Sequence, residues 1–150
     1  IMVDLKALDK WDAIRQLVAF LMRTHRVEHV SQEELYQSIV ARENEFTTAM
    51  GHEIAIPHGR IAKGAAIQGV MGICRDGIDF GAPDGEPVKL IMLIVTPEDK
   101  RDLHLKVLSS LSAMVRDDTI RTRLIAALSS EDAMEVIESE EVRDYNYFLE

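Results

Sequence analysis

The chain has 150 residues, enough for one domain with a sizeable core and too few for two full ones. Its 17 Lys+Arg stand against 26 Asp+Glu, a formal net charge of −9 with no basic run; this excludes nucleic acid as a natural partner and favours a partner carrying a basic patch. The lone Cys74 excludes an internal disulfide and fits a reducing compartment. The longest apolar run, Leu90 to Val95, excludes a bilayer span, and no leader precedes residue 10, so the expected setting is cytoplasmic without membrane insertion.

Asp9 opens the first predicted helix. Trp11, Ile14, Leu17, Val18, Leu21 and Met22 recur at helical spacing, and Asp12 stands three residues past the cap, so one face packs. After a polar link, Ser31-Gln32-Glu33-Glu34 spells a capping box, with Val30 and Leu35 at the two positions of a hydrophobic staple. That second helix is expected to end at Ala41 or Arg42. His25 and His29 lie four apart in the link, but with no third ligand nearby they predict no metal site.

Residues 44–52 are small and polar and read as a loop. Ile54–Ile56 then form a short strand leading to His58, framed by Pro57 and Gly59. Proline fixes its own φ and extends the residue before it, while glycine permits backbone angles that a Cβ would resist. A histidine held in this way can anchor one ring nitrogen and offer the other as a nucleophile. Pro-X-Gly is also the spelling of an ordinary turn, so the local sequence does not choose between them.

Ala65 to Cys74 reads as a strand whose Gly69 and Gly72 mark close approach of another backbone. Turns follow at Asp76-Gly77 and Asp84-Gly85. Val88 to Thr96 is apolar and β-rich, as a central strand covered on both faces requires, and Pro97 ends it. From Asp102, Val107, Leu108, Leu111, Met114 and Val115 restore helical periodicity, with His104 on the same face in the first turn. Two shorter helices are expected around 118–128 and 130–137, then an acidic end, 138–150, containing Tyr145, Tyr147 and Phe148. Met50, Met71, Met92, Met114 and Met134 read as core filling. Helices at both ends with strands between suggest a sheet covered on two faces.

A phosphoryl group arriving on a histidine needs positive charge and N–H donors around it. His104 near a helix N-terminus, the Arg42 guanidinium, and the Thr47 and Thr48 hydroxyls are the candidates, although His104 taken singly is an ordinary first-turn polar residue and Arg42 an ordinary helix-end cation.

Arg42-Glu43, Thr47-Thr48 and Ile54-Ala55-Ile56-Pro57-His58-Gly59 resemble, at matching spacing, the active-site region of the enzyme IIA domains of the bacterial phosphotransferase system, of the fructose/mannitol and nitrogen-regulatory type. Asp84-Gly85-Glu86-Pro87-Val88, Thr96-Pro97 and Leu103-His104-Leu105 extend the likeness, which covers about residues 5–137. The resemblance implies a three-layer α/β/α sandwich with a mixed central sheet and no cofactor. It implies that His58 is phosphorylated by the histidine phosphocarrier protein, that His104 and Arg42 orient and stabilise the group, and that Thr47, Thr48 and Gly59 line the pocket. Onward transfer would go to a IIB component for sugar uptake; in the regulatory variant, phosphorylation would control a partner protein. A metal-dependent hydrolase, the remaining alternative, lacks a ligand set. Two residues depart from the family pattern: Ala49 and Glu53 stand where it usually has Gly, placing side chains on the loop rim. Strand alternation predicts that Glu53 faces outward with Ala55.

Overall fold

The computed structural model describes residues 1–64 and 66–144. Helix α1, Lys10–Thr24, begins where Asp9 accepts a hydrogen bond from Asp12 N at 2.8 Å. The Asp12 carboxylate answers one residue earlier than a capping box would, accepting from Leu8 N at 2.9 Å. Helix α2, Gln32–Glu45, is capped by the Ser31 hydroxyl, which accepts from Glu34 N. It runs a turn beyond its expected end. The polar residues there are not a loop, because Glu43 turns inward and is bonded by the segment that follows.

The residues read as a loop also contain strand β1, Ala49–Gly51, paired antiparallel with β2, Ile54–Ala55. His52 and Glu53 join them, with φ of 56° and 68°. Both occupy the left-handed region that two-residue hairpin turns require, without the glycine that usually eases it. β3, His58–Ile61, follows at once. β2 and β3 run parallel to the central β5, Val88–Pro97, in one constant register, Ile54 opposite Leu90 and His58 opposite Ile94. They are one strand interrupted at Ile56-Pro57. Proline has no N–H to give the ladder, but its carbonyl still accepts from Ile94 N at 3.0 Å.

β4, Gln68–Ile78, lies antiparallel on the other side of β5. The turn expected at Asp76-Gly77 is a bulge inside β4, where the register shifts and Gly77 takes φ of 79°. Gly72 does mark a close approach: Met2 bridges to it, and a Cβ there would lie 2.9 Å from Leu5 and Leu17 side-chain carbons. A single 3₁₀ turn, Glu98–Lys100, leads into α3, Arg101–Arg116, followed by α4, Asp118–Ile125, and α5, Ser130–Asp144. α5 passes the expected end at Ile137 by about two turns, because the acidic residues that follow carry little apolar periodicity to mark a helix. Tyr145, Tyr147 and Phe148 lie outside the described residues.

Alternation along the strands sorts the core into two clusters. Ala55, Val70, Cys74, Ile91, Leu93 and Val95 face α1 and α2, meeting Ile14, Leu17, Leu21, Leu35 and Ile39. Ile54, Ile56, Met71, Ile73, Leu90 and Met92 face the opposite way, toward Met114, Val115, Ile120 and Leu124. The fold is therefore a three-layer α/β/α sandwich on a mixed sheet, as expected. Met134 is an exception to the core assignment: it is 41% exposed.

Candidate functional site

On the β2–β3 strand, residues 54, 56, 58 and 60 point toward the α3 side. Ile56 N donates to Thr48 O at 3.2 Å, which continues the β1 pairing by one residue. The Ile56 carbonyl receives His58 Nδ1 at 3.0 Å. A carbonyl can only accept, so Nδ1 carries the hydrogen and, in the neutral ring, Nε2 keeps its lone pair. Burial of the half-buried ring holds its pKa below the usual histidine value. The Ile56 carbonyl and the Glu43 charge oppose this, and the Arg42 and Arg60 charges reinforce it.

His104 lies in the first turn of α3 and is only 3% exposed. Its ring centroid is 5.2 Å from that of His58, the planes inclined at 58°. Nδ1 shares a hydrogen bond with Thr96 Oγ1 at 2.5 Å. Burial lowers its pKa first, and the His58 and Arg60 charges push the same way. Two neutral rings thus face each other near neutral pH.

Arg42, in the last turn of α2, donates from Nη1 to Phe46 O at 3.2 Å, and its charge reaches His58. Thr47 is occupied elsewhere. Its hydroxyl lies 2.7 Å from Phe80 O and 3.1 Å from Glu43 Oε1, and accepts from Ala49 N, so it ties down the segment before β1. Thr48 is buried, and among the described residues its Oγ1 has no hydrogen-bond partner. Its register opposite Ile56 places it on the His58 face of the sheet. Gly59 faces the other way, where a Cβ would lie 2.7 Å from Ile39 Cγ1. The close approach of α2, not a left-handed backbone angle, is what requires glycine there.

The sequence reading gave two neighbours no role. Glu43 is 2% exposed, accepts Thr48 N with both oxygens at 3.1 Å, and meets Lys10 Nζ at 3.7 Å. Its signal was present, since Leu35, Ile39 and Glu43 recur every four residues along the buried face of α2. Arg60 stands two residues from His58 on the same strand face.

The two departures also settle differently. Ala49 is buried in the core against α1 and α2, not on the rim. Glu53 sits in the hairpin turn, so strand alternation does not govern it; its carboxylate pairs with Lys89 Nζ at 3.1 Å. Among the described residues no three His, Cys, Asp or Glu gather as a metal site, and no helix is long and apolar enough to cross a membrane.

An anchored histidine with a free nitrogen, beside a second buried histidine and within the field of a guanidinium, is an arrangement that can accept a transferred group. Residues 1–140 match the phosphoenolpyruvate-dependent sugar phosphotransferase system EIIA 2 family, and the chain belongs to it. A nitrogen regulatory protein of Bradyrhizobium diazoefficiens is 31% identical over 137 residues, 91% of this chain and 88% of the relative. A fructose-specific EIIA component of Haloferax volcanii is 30% identical over 128 residues, 85% and 82% of the two chains. The crystal structure of the nitrogen regulatory protein IIA-Ntr from Neisseria meningitidis is similar with a TM-score of 0.82 and 30% identity, covering 89% of this chain and 90% of that one.

Proposed function

We propose that the protein is a phosphocarrier whose His58 Nε2 accepts a phosphoryl group from the histidine phosphocarrier protein and passes it to a IIB component. The observation that carries the reading is the Nδ1 bond to the Ile56 carbonyl, which leaves Nε2 as the only nucleophilic nitrogen of a ring kept neutral. In the accepting step a P–N bond to the donor imidazole breaks as the Nε2–P bond forms, and the electron pair returns to the donor. Nδ1 keeps its proton on the carbonyl throughout.

His104 and Arg42 stabilise the charge on the phosphoryl oxygens, and Thr48 Oγ1 donates to one of them. Thr47 acts indirectly by holding the segment that carries Thr48, while Gly59 admits α2 behind the strand. The chemistry belongs to the cytoplasm, where phosphoenolpyruvate-driven carriers meet their partners. A second reading, a regulatory domain whose phosphorylation state controls a partner protein, is favoured by the 31% identity to a nitrogen regulatory protein over 88% of its length. The same His58 step serves both.

Incubation with phosphoenolpyruvate, enzyme I and the phosphocarrier protein is expected to add one acid-labile phosphate by intact mass, and His58→Ala to remove it. A label that persists in the alanine variant refutes the assignment.

A further inference from the structure

We propose that Arg60 is a second guanidinium of the phosphoryl site, gripping the phosphoryl oxygens as the group settles on His58. The inference rests on the phosphohistidine reading and adds a residue to it. Alternation along β3 puts His58 and Arg60 on one face of the sheet, two residues apart. Register does the rest: Arg60 lies opposite Thr96 of β5, and Thr96 holds His104. Arg60 is therefore beside His58 along its strand and beside Thr96, the hydrogen-bond partner of His104, across it.

Its guanidinium is exposed and, among the described residues, forms no ion pair. Arg42, by contrast, already gives one nitrogen to a carbonyl. Arg60 is also the cation whose charge bears on both rings, whereas that of Arg42 bears on His58 alone. A phosphoryl group carries close to two negative charges and three acceptor oxygens, which a forked, permanently charged guanidinium matches. A partner docked over the site would remove water from this exposed cation and strengthen its grip.

The test uses a small donor, phosphoramidate, so that no protein partner intervenes. The His58 Nε2 lone pair attacks phosphorus, the P–N bond of zwitterionic phosphoramidate breaks, and ammonia leaves with the bonding pair. Arg60→Ala is expected to slow labelling of His58 by at least about tenfold, as for removal of one transition-state donor, and Arg60→Lys to restore most of the rate. Raised salt should narrow the difference, because the cation is exposed.

Imidazole titrations by NMR supply a readout that a merely structural role would leave unmoved. The charged groups facing His58 are Arg42 and Glu43 from α2, Arg60 on its own strand and His104 from α3. Removing the Arg60 charge should raise both histidine pKa values, and lysine should hold them. Wild-type labelling with an unchanged rate in Arg60→Ala overturns the Arg60 role alone. No label on wild-type His58 overturns the phosphohistidine reading, and this inference with it.

Discussion

Neither histidine of the pair gains from carrying a proton in the folded state, since burial depresses both pKa values below the 6.5 of a free side chain. Well above that value both rings are neutral in the folded and the unfolded chain alike. As pH falls below it, the unfolded chain takes up protons that the folded one refuses until its own lower pKa values are reached, so stability is lost across that window. Urea midpoints compared at about pH 7.5 and about pH 5.5 should fall for the wild type, and His58→Gln or His104→Gln should flatten the loss. Thr48 makes a sharper case. A buried hydroxyl without a partner costs about 1 kcal/mol or more, so Thr48→Val is expected to hold or raise the unfolding midpoint while slowing phosphorylation of His58. A loss of stability with an unchanged transfer rate would show that the hydroxyl serves the fold instead.

At the scale of elements, α2 and β3 meet so closely that Gly59 leaves no room for a methyl group. Gly59→Ala should cost about 1–3 kcal/mol by chemical denaturation, as overpacking does, with Ile39→Ala in the same chain making the loss less than additive. The caps at Asp9 and Ser31, the central β5 and the His104 helix were legible in the sequence because each rests on local chemistry: a side-chain oxygen three residues from an N–H, or an unbroken apolar run. β1 and the end of α2 were not, because their polar residues are satisfied by partners that only the folded chain brings into place. Thr47 bonds Phe80 O and Glu43 bonds the following segment, and no local pattern announces either. The Asp76-Gly77 bulge was hidden for a related reason: the same residues spell a turn or a kinked strand, and pairing with β5 decides. At the site, the family-like spacing singles out His58, Arg42, Thr48 and His104, and the fold brings the His58 and His104 rings together. It did not reveal that Thr47 and Gly59 face other tasks, or that Arg60 shares the His58 face of the sheet opposite Thr96, since these follow from strand faces in three dimensions.

For the molecule as a whole, the N-terminal segment and the link between α4 and α5 are held by one side chain. Met2 and Leu5 hydrogen-bond along β4, and Arg75, projecting from that strand, donates to Val3 O at 2.8 Å and to Ala127 O in the link between α4 and α5. The N-terminal segment and the second helical layer are thereby fastened to a common point on β4, which β5 separates from the His58 strand. Arg75→Ala should lower stability by about 1–2 kcal/mol through the lost charge-assisted bonds, with the His58 labelling rate unchanged. A changed rate would mean that the second layer, which carries His104, shifts when its fastening is cut.

The alternation of β3 also makes a statement about inheritance. His58 and Arg60 look toward the chemistry, Gly59 and Ile61 toward the packing beneath α2. A saturation scan across these four codons, scored once for cellular abundance and once for phosphoryl transfer, should yield two interleaved phenotypes, each blind to every second position. Selection can then retune how the carrier handles phosphate without disturbing how it folds, because neighbouring codons answer to different demands.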